Sequence, residues 1–510
     1  MPRLSSSVGR SEVRTFARGL RVSIFGRFSG RASGVLAHLL MGRVLGPASY
    51  GVYSLGWMIV LMVTLIASLG LEHGVVRFGA PLWRNDSEGL SSLVRRCLGL
   101  TLVASTGAAV ALFLSRDFLA SVFDMPDLGP VIGGLSLGLG LVCLLRVTAS
   151  ATRVTQDMSY GVKTEDMVQP ATQLLLLAVF FAAGWHLLGA VAATVLSFLV
   201  ALGLAVVYLR RIGVNVLRKP PSAGLSTGKL LGFSLPTALA GATSVLVAWT
   251  DLLLVGFFRS ESDTGIYQAA SQAAFVFLMI VAATNAIFTP LVARLMAAGK
   301  RDEIDALFKV STLWALYLSL PVFIVFVLAP RIVLGALLGA RYLPGAAPLV
   351  LLSLGQMTNL ASGAVGFLLI LSGRQKTWLV ASGVALALNV GLNLVLIPRY
   401  GLVGAATGTA IALALLFSGG LFLVRRMLAF WPYDGRIYKA LLATACSALS
   451  VVGLTRWAPV DGIAGLFLLL AGSVLSFALV LALVGLGAEE KEVLADFFAR
   501  PRRRDAPRQP

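Results

Sequence analysis

Arg27, Arg31, Gly34 and His38 stand four, three and four residues apart in an otherwise apolar run, VSIFGRFSGRASGVLAHLLMG, residues 22–42. That spacing stacks them on one helical face, with Ile, Phe, Leu and Val on the other. At 1.5 Å per residue the run can cross a hydrocarbon layer of about 30 Å. A guanidinium in a membrane costs at least about 2.5–3.5 kcal/mol, so it normally faces a bundle interior or a water-filled cavity. The helix therefore reads as one wall of a hydrated, cationic cavity. For Arg27 a second reading stands equally, in which the side chain snorkels to the headgroups. Arg31 lies one turn deeper, where snorkelling suits it less well.

Asp251, in SVLVAWTDLLLVGFF, is the one acidic residue the sequence places deep in an apolar run. A lone buried carboxylate is neutralised by protonation or paired. It can pair with an arginine, carry a coupling proton, or hydrogen-bond a neighbouring helix as structural glue. Asn285, Gln356, Asn359, Asn389 and Asn393 are polar residues in later apolar runs. Asn389 and Asn393 are one turn apart. A polar path and helix–helix hydrogen bonding explain these amides equally well. Arg77 has an interfacial reading and a binding reading, and Arg146 and Arg153 are likewise open. His38, His73 and His186 are scattered, and there is no GxSxG, HExxH or Walker A pattern. Uphill work, if any, must come from an ion gradient or from consumption of product.

The elements that position these residues are membrane helices. Of 510 residues, 57% are hydrophobic and 13% charged, with mean hydropathy +0.87, against about 25% charged residues in a soluble domain. Apolar runs of helical length follow one another, and barrel-type alternation is absent. The expected fold class is an all-α polytopic membrane protein with about 14 transmembrane helices. The net charge of +19 is a topology signal and points to no nucleic acid, because all but seven of the 42 Lys and Arg residues fall in the tails, alternate loops or adjoining helix ends. The seven are Arg43, Arg116, Arg259, Arg331, Arg341, Arg399 and Arg456. The positive-inside rule then puts both termini in the cytoplasm, which requires an even number of spans. The N-terminus reads as a cytoplasmic tail leading into an uncleaved first span. Cys97, Cys143 and Cys446 lie in apolar runs without CxxC spacing and read as packing residues, with no disulfide frame and no metal site.

The chain also repeats. LLGAVAATVLSFLVALGLAVVYLRR and LVGAATGTAIALALLFSGGLFLVRR share Gly189/Gly404 and the pairs Arg210-Arg211/Arg425-Arg426 at one offset. Gly51-Val52-Tyr53 matches Gly265-Ile266-Tyr267 at nearly the same offset. The expected organisation is a cytoplasmic tail (1–15), a six-helix bundle (16–211), a cytoplasmic linker (212–229), a second six-helix bundle (230–426), two additional helices (427–488) and a basic cytoplasmic tail (489–510). Repeats in the same orientation imply a pseudo-two-fold along the membrane normal, with the substrate site expected in the crevice between bundles.

With the arginine-bearing first span, RVLGPASYGVYSL, the span ending SLGLEHGVVRF, and WTDLLLVGFFRSESDTGIYQAA in this order, the chain resembles the polysaccharide (O-antigen type) flippases of the multidrug/oligosaccharidyl-lipid/polysaccharide exporter superfamily. The resemblance covers about residues 16–490. It implies export of undecaprenyl-pyrophosphate-linked oligosaccharide from the cytoplasmic to the periplasmic leaflet of the inner membrane for cell-surface polysaccharide such as lipopolysaccharide. It also implies a cationic cavity, coupling to a proton or sodium gradient, and no other cofactor. Lipid-linked glycan is the implied partner, with polysaccharide polymerase and glycosyltransferases beside it. For such a substrate Arg27 and Arg31 are the leading diphosphate or sugar-acid contacts, since the guanidinium fork is bidentate and always charged. His38, Arg77, Asn285, Gln356, Asn359 and Asn389 complete the candidate substrate path, and Asp251 is the candidate for ion coupling. Lipid II flippases are similar in plan. Two other readings compete: a multidrug cation antiporter, which expects an acidic cavity, and a membrane glycan polymerase or ligase, which expects a large external catalytic loop.

Overall fold

The computed structural model describes residues 10–83, 85–155, 159–214 and 226–485, with side chains described from Ser29 onward except for residues 239–248. Among the described residues there are helices and turns and no strand. In chain order the helices are α1 (Arg10–Ala67), α2 (Leu71–Gly79), α3 (Ser87–Leu114), α4 (Arg116–Val122), α5 (Leu128–Thr152) and the single turn α6 (Ser159–Gly161). A π-helical stretch, Val162–Val168, leads into α7 (Gln169–Ala182), then α8 (Leu187–Arg211) and α9 (Thr227–Phe258). There follow α10 (Glu261–Ala297), α11 (Arg301–Leu328), α12 (Pro330–Leu338), α13 (Ala346–Ser362), α14 (Val365–Leu371), α15 (Gln375–Leu428), α16 (Ile437–Trp457) and α17 (Gly462–Val484).

Nine of the described helices are long and apolar enough to cross a membrane, or ten if the bent pair α13/α14 counts as one span. The fourteen expected spans fall on these and on two further helices. Two continuous helices, α1 and α15, each carry two expected spans. In α1 the joint is Gly46, at φ 74° and ψ 174°, followed by Pro47. Proline lacks the N–H of the helical ladder and crowds the preceding turn, and glycine alone takes positive φ at no steric cost. In α15 the joint is Gly401, at φ 60° and ψ −135°. The expected fifth span is α7, only 14 residues long, and the expected seventh is α9.

By contact the chain divides into two units. The first comprises Met1–Gln272, Leu338–Gly345 and Asn389–Gly408; the second comprises Ala273–Leu337, Ala346–Leu388 and Thr409–Pro510. In the first, the arm of α1 after Gly46 buries Tyr50, Val52, Tyr53, Leu55, Met58 and Val60, and α5 buries Leu128, Val131, Ile132, Leu135 and Leu139. The two helices approach closely at Gly56, where a Cβ would lie 2.8 Å from Val131 Cγ1. Small residues at such crossings are how membrane helices gain packing without a hydrophobic driving force. Leu71 and Val75 of α2 pack with Leu90, Val94 and Cys97 of α3 and Val147 and Ala151 of α5.

In the second unit, Phe288 and Val292 of α10 pack with Ile304 and Phe308 of α11 and with Val365, Leu368 and Leu369 of α14. Leu313 and Tyr317 of α11 pack with Ala440 and Ala443 of α16 and Phe477 of α17. Buried hydroxyls join these three helices: Ser447 and Ser473 lie 2.6 Å apart, and Ser473 donates to the Pro321 carbonyl at 2.8 Å. The pair α13/α14 breaks at Gly363, φ +67°, with a bend of 43°.

Candidate functional site

The polar side chains of the first unit are held by the bend in α1 and by the π-helical stretch. Arg31 is exposed, and a Cβ at Gly34, one turn on, would meet nothing within 4 Å. This face of α1 is open where the guanidinium stands. The Arg27 side chain lies outside the described residues. One residue before Arg31, Gly30 is buried so tightly that a Cβ would overlap the carbonyl oxygen of Asp166. Only glycine lets α1 lie on the π-helical stretch. That stretch carries Glu165, whose Oε2 accepts from Arg153 Nη2 at 2.5 Å. Burial raises the Glu165 carboxyl to about 7, opposed first by Arg153; Asp166, Arg146 and Glu72 lie within electrostatic range. Arg153, one of the arginines left open by the sequence, is thus ion-paired. Glu72, at the start of α2, is a second acid on an apolar helix that the sequence reading passed over. Its Oε2 is buried with no hydrogen-bond partner among the described residues, while Oε1 accepts from Ser68 at 3.4 Å.

His38 lies across the bend from Tyr50, its Nδ1 3.2 Å from the Tyr50 hydroxyl. Tyr50 is fully buried, hydrogen-bonded to Gln268 and edge-on to Tyr342 at 6.5 Å between centroids. Tyr342 donates to the Gly42 carbonyl at 2.6 Å. His38 is therefore one member of a polar aromatic knot that ties α1 on both sides of Gly46. Arg77 is exposed, and its guanidinium sits 4.1 Å over the Phe233 ring and 5.7 Å from that of Phe78. Cation–π stacking holds it there.

Asp251 is buried, 7% exposed. Tyr267 donates its hydroxyl to Oδ2 at 2.6 Å, and the Leu252 amide donates to Oδ1 at 2.8 Å. Both carboxylate oxygens are thus accepting. Asn393 Nδ2 donates to Asn389 Oδ1 at 3.2 Å, joining the pair whose spacing put them one turn apart, while Asn393 Oδ1 is buried without a partner among the described residues.

The second unit brings together two candidates that are far apart in sequence. Asn285 of α10 and Asn359 of α13 face one narrow, half-open cleft, with Thr284, Ser311 and Thr312 among its other polar residues. The broken point of the α13/α14 pair, Gly363 and Ala364, forms part of its wall. Gln356, one turn before Asn359, is outside the cleft and buries its Oε1 without a partner among the described residues. Sequence reasoning missed the three hydroxyls, because Ser and Thr occur throughout the spans and nothing local marks those that meet. It also missed Gly30, Tyr50, Gln268 and Tyr342, whose roles arise from contacts distant in sequence.

No cluster of potential metal ligands is present among the described residues. A profile described as polysaccharide biosynthesis protein matches residues 40–347. A probable low-salt glycan biosynthesis flippase of Haloferax volcanii is 21% identical over 185 residues, which is 36% of this chain and 39% of that protein. The chain thus aligns with well under half of that relative's length. Among solved structures, lipid II flippase MurJ in an inward closed conformation is similar with a TM-score of 0.73 at 13% identity, over 91% of this chain and 98% of that one. An inward-facing multidrug resistance MATE transporter is similar at 0.66 and 16% identity, over 80% and 98%. A transporter of the same superfamily from Pyrococcus furiosus is similar at 0.56 and 16% identity, over 81% and 95%. At these identities the structures establish the fold, and the profile, which spans more than half of the chain, establishes the family: the chain belongs to the polysaccharide biosynthesis proteins.

Proposed function

We propose that this chain moves a lipid-linked oligosaccharide, carried on undecaprenyl pyrophosphate, from the cytoplasmic to the periplasmic leaflet of the inner membrane by alternating access. The observation that carries the reading is Arg31, exposed beside open space at Gly34 on an apolar helix, in a chain of the polysaccharide biosynthesis family. A permanently charged planar fork on an open helix face suits a diphosphate, which it can bind through two parallel N–H···O bonds. Energy enters through a proton or sodium gradient, with Asp251 as the coupling carboxylate, and both termini lie in the cytoplasm. Polymerase and glycosyltransferases act on the same lipid-linked glycan. The direct test is the appearance of lipid-linked glycan on the periplasmic face of cells that lack their native flippase and express this chain. Absence of glycan there, with the protein present in the membrane, overturns the proposal.

A further inference from the structure

In the first unit, the ends of three membrane helices meet around an open bowl. Trp83, Thr155, Tyr160, Arg211, Ile212 and Gly213 line it, and its volume is about 490 Å³. Arg211 is the last residue of α8, and Thr155 closes the apolar stretch Leu128–Thr155. Trp83 stands just before Ser87, where the next apolar helix begins. At 1.5 Å per residue the 25 residues of α8 exceed a hydrocarbon layer of about 30 Å. The bowl at its end therefore stands at the level of the lipid headgroups. Tryptophan and tyrosine concentrate at that level, where one side of the ring is apolar and the other wet.

The chemistry of the lining selects an anion. The end of α8 closes on itself: Gly213, at φ 83°, donates to the Arg210 carbonyl at 3.0 Å, and Val214 donates to that of Leu209 at 3.2 Å. These turns satisfy the helix end without Arg211. Its guanidinium is exposed, 5.9 Å from the Tyr208 ring, and has no carboxylate partner among the described residues. The Tyr208 and Tyr160 rings are 5.0 Å apart, and the Lys163 ammonium lies 5.9 Å from the Tyr160 ring. Trp83 adds an indole N–H and Tyr160 a hydroxyl, while Thr155 gives its proton to the Thr152 carbonyl at 2.8 Å. No carboxylate lines the bowl. A zwitterionic headgroup would bring an ammonium that meets no acid there. An anionic phosphodiester meets a guanidinium fork that can hold its oxygens in two parallel N–H···O bonds. A soluble phosphate would use the fork and leave the two rings uncovered, whereas a lipid lays its glycerol carbons against them.

We propose that this bowl binds the headgroup of an anionic phospholipid of the surrounding bilayer, with Arg211 on the phosphodiester and Trp83 and Tyr160 beside the glycerol. Such a lipid resides at the site and is distinct from any transported molecule. The test is native mass spectrometry of the full chain in detergent, titrated with dioleoyl phosphatidylglycerol or dioleoyl phosphatidylcholine, which resolves successive lipid adducts. Phosphatidylglycerol should fill the first site about tenfold more tightly than phosphatidylcholine, the scale of one charge-assisted contact. Arg211→Gln should abolish that preference. Arg210→Gln, its neighbour on α8 but outside the bowl, should keep it. Both side chains are exposed, so neither change disturbs the core. Equal affinity for the two lipids, an unchanged preference in Arg211→Gln, or an equal loss in Arg210→Gln overturns the site. Tighter binding of undecaprenyl pyrophosphate than of phosphatidylglycerol, lost in Arg211→Gln, overturns it as well, because the bowl then receives a transported lipid.

Discussion

Gly51 and Gly265 pack back to back, and the contact is reciprocal. A Cβ on Gly51 would lie 2.1 Å from the Glu261 carbonyl oxygen and 2.6 Å from the Gly265 nitrogen; a Cβ on Gly265 would lie 1.9 Å from the Pro47 carbonyl oxygen and 2.9 Å from the Gly51 nitrogen. Pro47 and Glu261 each stand four residues before their glycine, so α1 and α10 present the same surface to each other about a local two-fold. Two residues beyond each glycine is a buried tyrosine: Tyr53 lies 2.7 Å from Thr194 Oγ1, and Tyr267 holds Asp251. These neighbours are backbone atoms, which cannot swing aside. Gly51→Ala and Gly265→Ala should therefore each destabilise by about 1–3 kcal/mol, as overpacking does. The double variant should cost less than their sum, since both strain one contact. Thermal unfolding in detergent checks this, and unchanged melting of both single variants would contradict the close packing.

Arg31 separates a diphosphate contact from a merely tolerated charge. Arg31→Ala should reduce glycan export at least about tenfold at normal protein level, the loss of one charge-assisted contact of about 1.5–3 kcal/mol. Arg31→Lys should restore export only in part, because the ammonium keeps the charge and loses the fork. Normal export by Arg31→Leu would remove this residue from the mechanism.

For Asp251, Asp251→Asn should keep the fold and membrane abundance, since an amide oxygen can still accept from Tyr267. It should lose gradient-dependent transport if the carboxylate couples an ion. Wild-type transport by this variant would leave the carboxylate a structural role, which includes its hydrogen bonds to Tyr267 and Leu252.

Glu165 supplies a pH dependence. Burial holds its carboxyl near 7, above the ordinary 4.5, so the folded chain binds that proton more tightly than the unfolded one. Its contribution to stability is fully present below about 4.5 and is lost as pH rises through about 7. Glu165→Gln should flatten this part of the stability curve, measured by melting between pH 4 and 8. Equal slopes in both proteins would refute the assignment.

Topology has its own test. Reporter fusions after Arg211 and at Pro510 should read cytoplasmic, and one near Met125 periplasmic. With the N-terminus in the cytoplasm, a periplasmic C-terminus would be incompatible with an even number of spans.

The helical membrane class and the one-turn pairing of Asn389 with Asn393 were legible in the sequence, because hydropathy and helical periodicity are local properties. The repeated GVY and GIY motifs were visible as well, and so were the breaks near Gly46 and Gly401, where glycine and proline carry their own conformational signal. Tertiary structure alone decided that the two repeated glycines touch, that Tyr267 is the partner of Asp251, and that Tyr50 takes the Nδ1 of His38. It also placed Asn285 beside Asn359, and Gly30 against the carbonyl of Asp166. An amide or a hydroxyl in an apolar run reads the same whether it joins helices or faces a cleft. Which it does depends on atoms brought from distant helices, and local pattern holds no record of them.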